Sequence, residues 1–168
     1  TYGEYNTELD QSIPDFIIYG QYQWNNGKNH IRLAGLIRNM NYHDDEADKN
    51  RINTGWAAQL SGLANITPSL TAFWQATYGE GFGSYINDLS MLDLDMVPNN
   101  NTQGKMQSLE AWAGYAGLKM EFSPRVFCSV TYSQAKVYSK DSFFIENMYK
   151  TGQYIAGNVF WNLTENCH

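Results

Sequence analysis

Apolar and polar residues alternate along most of this chain, and the alternation comes in blocks. In DFIIYGQYQWNNGKNHIRLAGLIRNM, from Asp15 to Met40, the residues Phe16, Ile18, Gly20, Tyr22 and Trp24 share one parity. Ile31, Leu33, Gly35 and Ile37 resume the apolar parity after Asn25-Asn26-Gly27-Lys28, while Gln21, Gln23, His30, Arg32 and Arg38 hold the opposite one. A period of two marks a strand with two unlike faces. An Asn-Gly pair between two such runs predicts a hairpin. The same reading gives seven strands, roughly 15–25, 29–41, 51–64, 69–79, 106–121, 126–138 and 151–163. Their faces separate in the same way: Ile52, Thr54, Trp56, Ala58 and Leu60 oppose Asn53, Gly55, Ala57, Gln59 and Ser61. Pro14, Pro68, Pro98 and Pro124 fall outside every run, as strand hydrogen bonding requires.

Strand length and connection length narrow the architecture. Strands in soluble proteins run to about 5–6 residues, whereas a tilted transmembrane strand needs about 9–11; the runs here are of the longer kind. The connections read as short and long in turn. Asn25–Lys28 is tight, NYHDDEADKN is longer, the turn around Asn65–Pro68 is short and the segment Gly79–Lys105 is very long. Ser123-Pro124-Arg125 is short again, Ser139–Lys150 is long, and a short turn begins near Asn162. Outer-membrane barrels place short turns at one end and longer loops at the other. The expected fold is therefore all-β: a transmembrane antiparallel up-and-down β-barrel, apolar face to lipid and arginine face to a water-filled lumen. The competing reading is an antiparallel sandwich with the apolar face as its core, a soluble ligand- or glycan-binding module using Trp and Tyr as stacking platforms. Seven strands do not close a bacterial barrel, which uses even strand numbers. Residues 1–168 are thus expected to form one partial barrel domain of a longer structure, with Cys167-His168 falling where an eighth strand should start.

Composition removes several functions. The net charge of −6 and the absence of a basic stripe exclude nucleic acid as partner. No run approaches the ~20 apolar residues of a transmembrane helix. Tyr and Trp gather toward strand ends, at Tyr22, Trp24, Tyr42, Trp56, Tyr78 and Trp161, the positions of an interfacial aromatic girdle. Cys128 and Cys167 make neither a disulfide framework nor a metal pair. No nucleophile is partnered by a base, so the chain is expected to be no enzyme and to need no cofactor or metal. Asp93-Leu94-Asp95 with Asn99–Asn101 offers oxygen ligands to a hard cation, at a spacing that matches no known loop.

The candidate chemistry lies in the lumen. His30, Arg32 and Arg38 share the polar parity of the second strand, Arg51 that of the third, and Lys119, with Glu121, that of the fifth. Such cations raise local anion concentration and grip carboxylates; alternatively they pair with wall or loop carboxylates and hold the wall in shape. The segment 79–105 opens Gly79-Glu80-Gly81-Phe82-Gly83-Ser84-Tyr85-Ile86-Asn87-Asp88-Leu89. Its glycines followed by apolar residues suit a loop that folds back into the barrel, with Glu80, Phe82, Tyr85 and Asp88 as constriction residues.

Several of these residues carry a family likeness. Ile13-Pro14-Asp15-Phe16, Asn26-Gly27 with His30-Ile31-Arg32-Leu33-Ala34-Gly35-Leu36-Ile37-Arg38, and above all Tyr78–Leu89 resemble the DcaP-like trimeric porins of Gram-negative outer membranes. Trp112-Ala113-Gly114-Tyr115, Tyr149-Lys150-Thr151-Gly152-Gln153-Tyr154 and Asn158-Val159-Phe160-Trp161 resemble that family's later strands. The resemblance implies a 16-stranded barrel that assembles as a homotrimer in the cell outer membrane, against lipid and lipopolysaccharide. It also implies an inward loop and an arginine-lined diffusion path for small hydrophilic solutes, including anions such as dicarboxylates. Against that pattern, residues 1–168 are expected to cover about half of such a barrel without an N-terminal coiled-coil segment, and they carry a Met- and Asn-rich stretch Asp93–Thr102.

Overall fold

A computed structural model describes residues 13–44, 47–92, 94–102, 105–140 and 148–162. The protein is all-β. Seven long strands form one antiparallel sheet: β1 (Phe16–Trp24), β2 (Asn29–Asp44), β3 (Lys49–Thr67), β4 (Leu70–Glu80), β7 (Glu110–Ser123), β8 (Val126–Val137) and β9 (Thr151–Trp161). They pair in chain order, each with its sequence neighbour in the sheet. The segment between β4 and β7 holds a short 3-10 turn at Gly83–Tyr85 and a ribbon of β5 (Met96–Pro98) and β6 (Met106–Ser108). β1 and β9 each have one neighbour, so the sheet is open at both edges among the described residues.

The first hairpin forms where the sequence predicts it. Asn25, Asn26 and Gly27 all take positive φ (55°, 55° and 79°), a region that Asn and Gly enter at least cost. Lys28 N–H closes the turn on Asn25 O at 3.2 Å. This turn sets the register Phe16↔Ile37 through Trp24↔Asn29.

Three expectations are corrected. NYHDDEADKN is mostly strand: β2 continues to Asp44 and β3 begins at Lys49, with Tyr42 opposite Arg51 and Asp44 opposite Lys49. Cross-strand pairing and burial of Tyr42 and Asp44 override the weak strand propensity of charged residues, so this connection is short and the expected alternation fails there. Asp45 and Glu46 lie outside the described residues, as do Asp93, Cys167, the end of the seventh predicted run and most of the Ser139–Lys150 loop. The segment 79–105 has secondary structure of its own. Pro98 closes a strand of the ribbon instead of lying outside every strand, a position an isolated two-stranded ribbon permits.

Alternation gives the sheet two faces. On one, the open face, Phe16, Ile18, Leu33, Ile37, Leu60, Phe122, Ile155, Val159 and Trp161 are all exposed. The other face carries the 79–105 loop, and the packed core lies between the two. Phe82, Leu89, Leu94, Val97 and Leu109 pack on Ala57, Ala111 and Val137, while Met96 and Met106 of the ribbon pack on Met40 and Tyr42. The sheet's partner is thus its own loop, the two-stranded ribbon included.

The apolar belt on the open face runs diagonally. On β2 it ends toward the long-loop side at Ile37, with Asn39 and Asn41 beyond; on β9 it ends at Ile155, with Gln153 and Thr151 beyond. Ile155 is level with Tyr132, Ala116, Trp74, Gly62 and Ile31 through successive pairings. The edge therefore descends from the level of Ile37 to that of Ile31 over five strand spacings. At about 3.3 Å per residue and about 4.8 Å per strand, that is a slope of about 40°. Ile52, opposite Asn41, is an apolar exception above the edge.

Candidate functional site

The loop-bearing face presents rows of paired residues. One row reads Gln21, Arg32, Ser61, Gln75, Tyr115, Ser133 and Tyr154, and the next Tyr19, Ala34, Gln59, Thr77, Ala113, Ala135 and Gly152. The loop crosses above these rows at the long-loop end. A groove of about 400 Å³ remains between them, lined by Gln59, Gln75, Thr77, Tyr115 and Ser133 from the sheet and by Tyr85, Ile86 and Asp88 from the loop.

Arg38 holds the loop down. It is buried, and its Nη1 donates to Ser84 Oγ at 2.7 Å, Asp95 Oδ2 at 3.2 Å and the Gly81 carbonyl at 3.4 Å. Its Nε faces Asp15 Oδ2 at 3.6 Å, and the guanidinium lies over the Tyr85 ring, 5.4 Å from its centroid. Tyr85 donates its hydroxyl to Asp15, and Ser84 N–H donates to the second Asp95 oxygen at 2.9 Å. Burial, followed by the Asp15 hydrogen bond, raises the Tyr85 phenol above its ordinary value of 10.0. The ribbon is tied by Met106 N–H donating to Tyr42 OH at 3.1 Å and by Asn53 Nδ2 donating to Ser108 Oγ at 3.0 Å. The chain enters the loop through Gly81, where φ is +69° and a Cβ would stand 2.6 Å from Met40 Cε.

The other predicted cations share that face but not one site. Arg32 is exposed; its Nε donates to Gln21 Oε1 at 2.7 Å and its plane lies 4.8 Å from the Tyr19 centroid. His30 lies one row nearer the turns, paired with Gln23 and Leu63. Arg51 pairs with the buried Asp44 at 2.7 Å. Lys119 pairs with Glu121 at 2.8 Å over the Phe127 ring. Of the predicted loop residues, Phe82 is buried in the core, Tyr85 and Asp88 line the groove, and Glu80 points to the open face, where Lys140 approaches it at 3.4 Å. Asp95 is engaged by Arg38 and Ser84, and the described residues hold no metal-competent cluster of three or more His, Cys, Asp or Glu.

Sequence reasoning missed Asp15, Ser84 and Asp95 as partners of Arg38. Asp15 was findable: the hairpin register pairs Phe16 with Ile37, which puts Asp15 beside Arg38. Ser84 and Asp95 arrive through loop folding, which no local pattern encodes. Comparison of the chain with protein-family models, curated proteins and solved structures gives no match.

Proposed function

We propose that this sheet is part of the wall of an outer-membrane β-barrel porin, lipid on its open face and water on its loop-bearing face, passing small hydrophilic solutes by diffusion. The diagonal apolar belt carries the reading. A belt perpendicular to the membrane normal must cut tilted strands obliquely, and barrel strands tilt by about 35–45°; the slope of about 40° lies within that range. On β7 the belt runs from Trp112 to Phe122, about 33 Å of strand, hence about 25 Å of height at that tilt. The apolar band of outer-membrane barrels is about 25 Å tall. Aromatic residues stand near both rims: Trp56 meets Tyr78 edge to face at 5.9 Å on one side, and Trp24, Phe122 and Trp161 occupy the other.

Open sheet edges do not persist in hydrocarbon, so β1 and β9 require further strands to close the wall. The resemblance to trimeric porins suggests a homotrimer with lipopolysaccharide around it. In this reading the loop narrows the lumen, and no bond is made or broken. Arg38 is assigned to anchoring the loop, which leaves Arg32 and His30 as the less engaged cations of the wall. The test is conductance of the full-length protein, extracted in detergent and added to planar bilayers. Stepwise openings in groups of three are expected. A folded protein that stays soluble without detergent and conducts nothing would overturn the proposal.

A further inference from the structure

The groove beneath the loop has a chemistry of its own, unlike that of an anion path. Its sheet side sets amides and hydroxyls, Gln59 and Thr77 in one row and Gln75, Tyr115 and Ser133 in the next, among small and aliphatic residues such as Ala34, Leu36, Ala57 and Ala113. Thr77 donates weakly to Gln59 at 3.5 Å. Among the described residues, the side-chain polar atoms of Gln75, Tyr115 and Ser133 make no hydrogen bond to protein, so they remain available to a solute. The single charged group of the lining is a carboxylate, Asp88. Arg32, on that face, stands two strands from Gln75 with its Nε already donated to Gln21. Arg38 is buried in its carboxylates.

The loop side sets Phe82, Tyr85 and Ile86 beside the polar Asn87 and Asp88, and Tyr115 adds a half-exposed ring from the sheet. A ligand that fits must be neutral, must offer several donors and acceptors to two amides and two or three hydroxyls, and must also have apolar surface for rings. A dicarboxylate fits poorly: its charges would meet Asp88, and no cation lines the groove. A volume of about 400 Å³ falls in the range of small-molecule sites.

Building on the porin reading, we propose that this groove binds a neutral polyhydroxylated solute, a mono- or disaccharide, and that the pore passes such solutes ahead of anions. The sugar hydroxyls meet Gln59, Gln75, Thr77 and Ser133, and its C–H face lies on Tyr115 or Tyr85. Binding is weak and reversible, since conduction needs entry without trapping.

The experiment uses the full-length protein in planar bilayers, with maltose or succinate added to one side. Millimolar maltose is expected to interrupt the ion current, succinate at equal concentration is not, and reversal potentials are expected to show no anion preference. Gln75→Leu removes a hydrogen-bonding amide and should raise the half-blocking maltose concentration about tenfold. Tyr115→Phe keeps the ring and the fold while removing only a hydroxyl, and should raise it by a smaller factor. Channels that open normally but ignore maltose, or that succinate blocks instead, would overturn the sugar site and leave the porin reading standing. Block that is unchanged in both variants would also overturn it. Absence of any channel would sink the porin reading itself.

Discussion

Arg38 is the residue whose removal is expected to change the molecule most for the smallest edit. It lies under the loop with Asp95 on one side and Asp15 on the other, and the side chains of Arg38 and Asp95 are 8% and 7% exposed. Arg38→Met keeps most of the stem's packing and deletes the charge. Asp95 then remains nearly buried with Ser84 N–H as its remaining polar partner. Breaking a buried pair in this way costs about 3–5 kcal/mol, mostly from the stranded charge. The cost falls on the docked state of the loop, because β2 pairs along its whole length without help from the side chain. Hydrogen exchange in detergent reads it directly at two amides: Ser84 N–H, bonded to Asp95 Oδ1, and Leu109 N–H, bonded to Asp95 O at 3.1 Å. Protection there should fall at least a hundredfold, since every 1.4 kcal/mol is about a factor of ten, while amides of β7 and β8 hold. Adding Asp95→Asn removes the stranded charge and should recover part of the loss, a coupling that a double-mutant cycle isolates. Unchanged protection at Ser84 and Leu109 in Arg38→Met would refute the anchoring role. So would a double variant as unstable as the sum of its parts.

Further expected outcomes rest on single features. Gly81→Ala places a Cβ at φ +69° against Met40 and Ser108; about 1–2 kcal/mol of strain should make the loop easier to cleave with protease. Leu33→Arg introduces a charge in the middle of the open face, level with Gly20 and Leu60. In lipid this costs about 2–4 kcal/mol and should lower the urea midpoint of vesicle-inserted protein, whereas Gln23→Arg on the other face should not; equal effects would mean that water covers both faces. Arg32→Gln should shift the reversal potential in a salt gradient slightly toward cations. The neutral Tyr85 phenol is favoured by folding, so its contribution is whole below pH 10 and is lost as pH rises through the raised value. The loop should accordingly stay docked up to that pH and loosen above it, and Tyr85→Phe should weaken the dependence, leaving the part carried by Tyr149, whose phenol is also raised by burial.

Much of the fold was legible because a period of two survives any tertiary context in which the faces meet different solvents. All seven long strands and both faces of the sheet can be read from the alternation, and the hairpin at Asn25–Lys28 from its turn chemistry. The upper ends of β2 and β3 could not be read. His43, Asp44, Lys49 and Asn50 look like loop residues until Asp44 is buried beside Arg51. The ribbon is three residues on each side and includes Pro98, too short for any pattern to rise above chance. Arg38 shows the remaining limit: its parity fixed the face it occupies, but its burial depends on where Asp95 lands, fifty-seven positions away in the chain. The amide groove was visible only as polar parity; that Gln75 and Tyr115 are level follows from the β4–β7 register across the long loop, which no local turn sets.

The tightly packed interior belongs to the loop and not to the strands among themselves. A denaturant therefore meets two separate cohesions. One is a small buried cluster of Phe82, Leu89, Leu94 and Val97 beneath the loop, held like the core of a mini-protein. The other is a ladder of strand hydrogen bonds that runs through all seven antiparallel strands of the sheet. The first gives way at lower concentration. Such a protein loses its loop before its sheet.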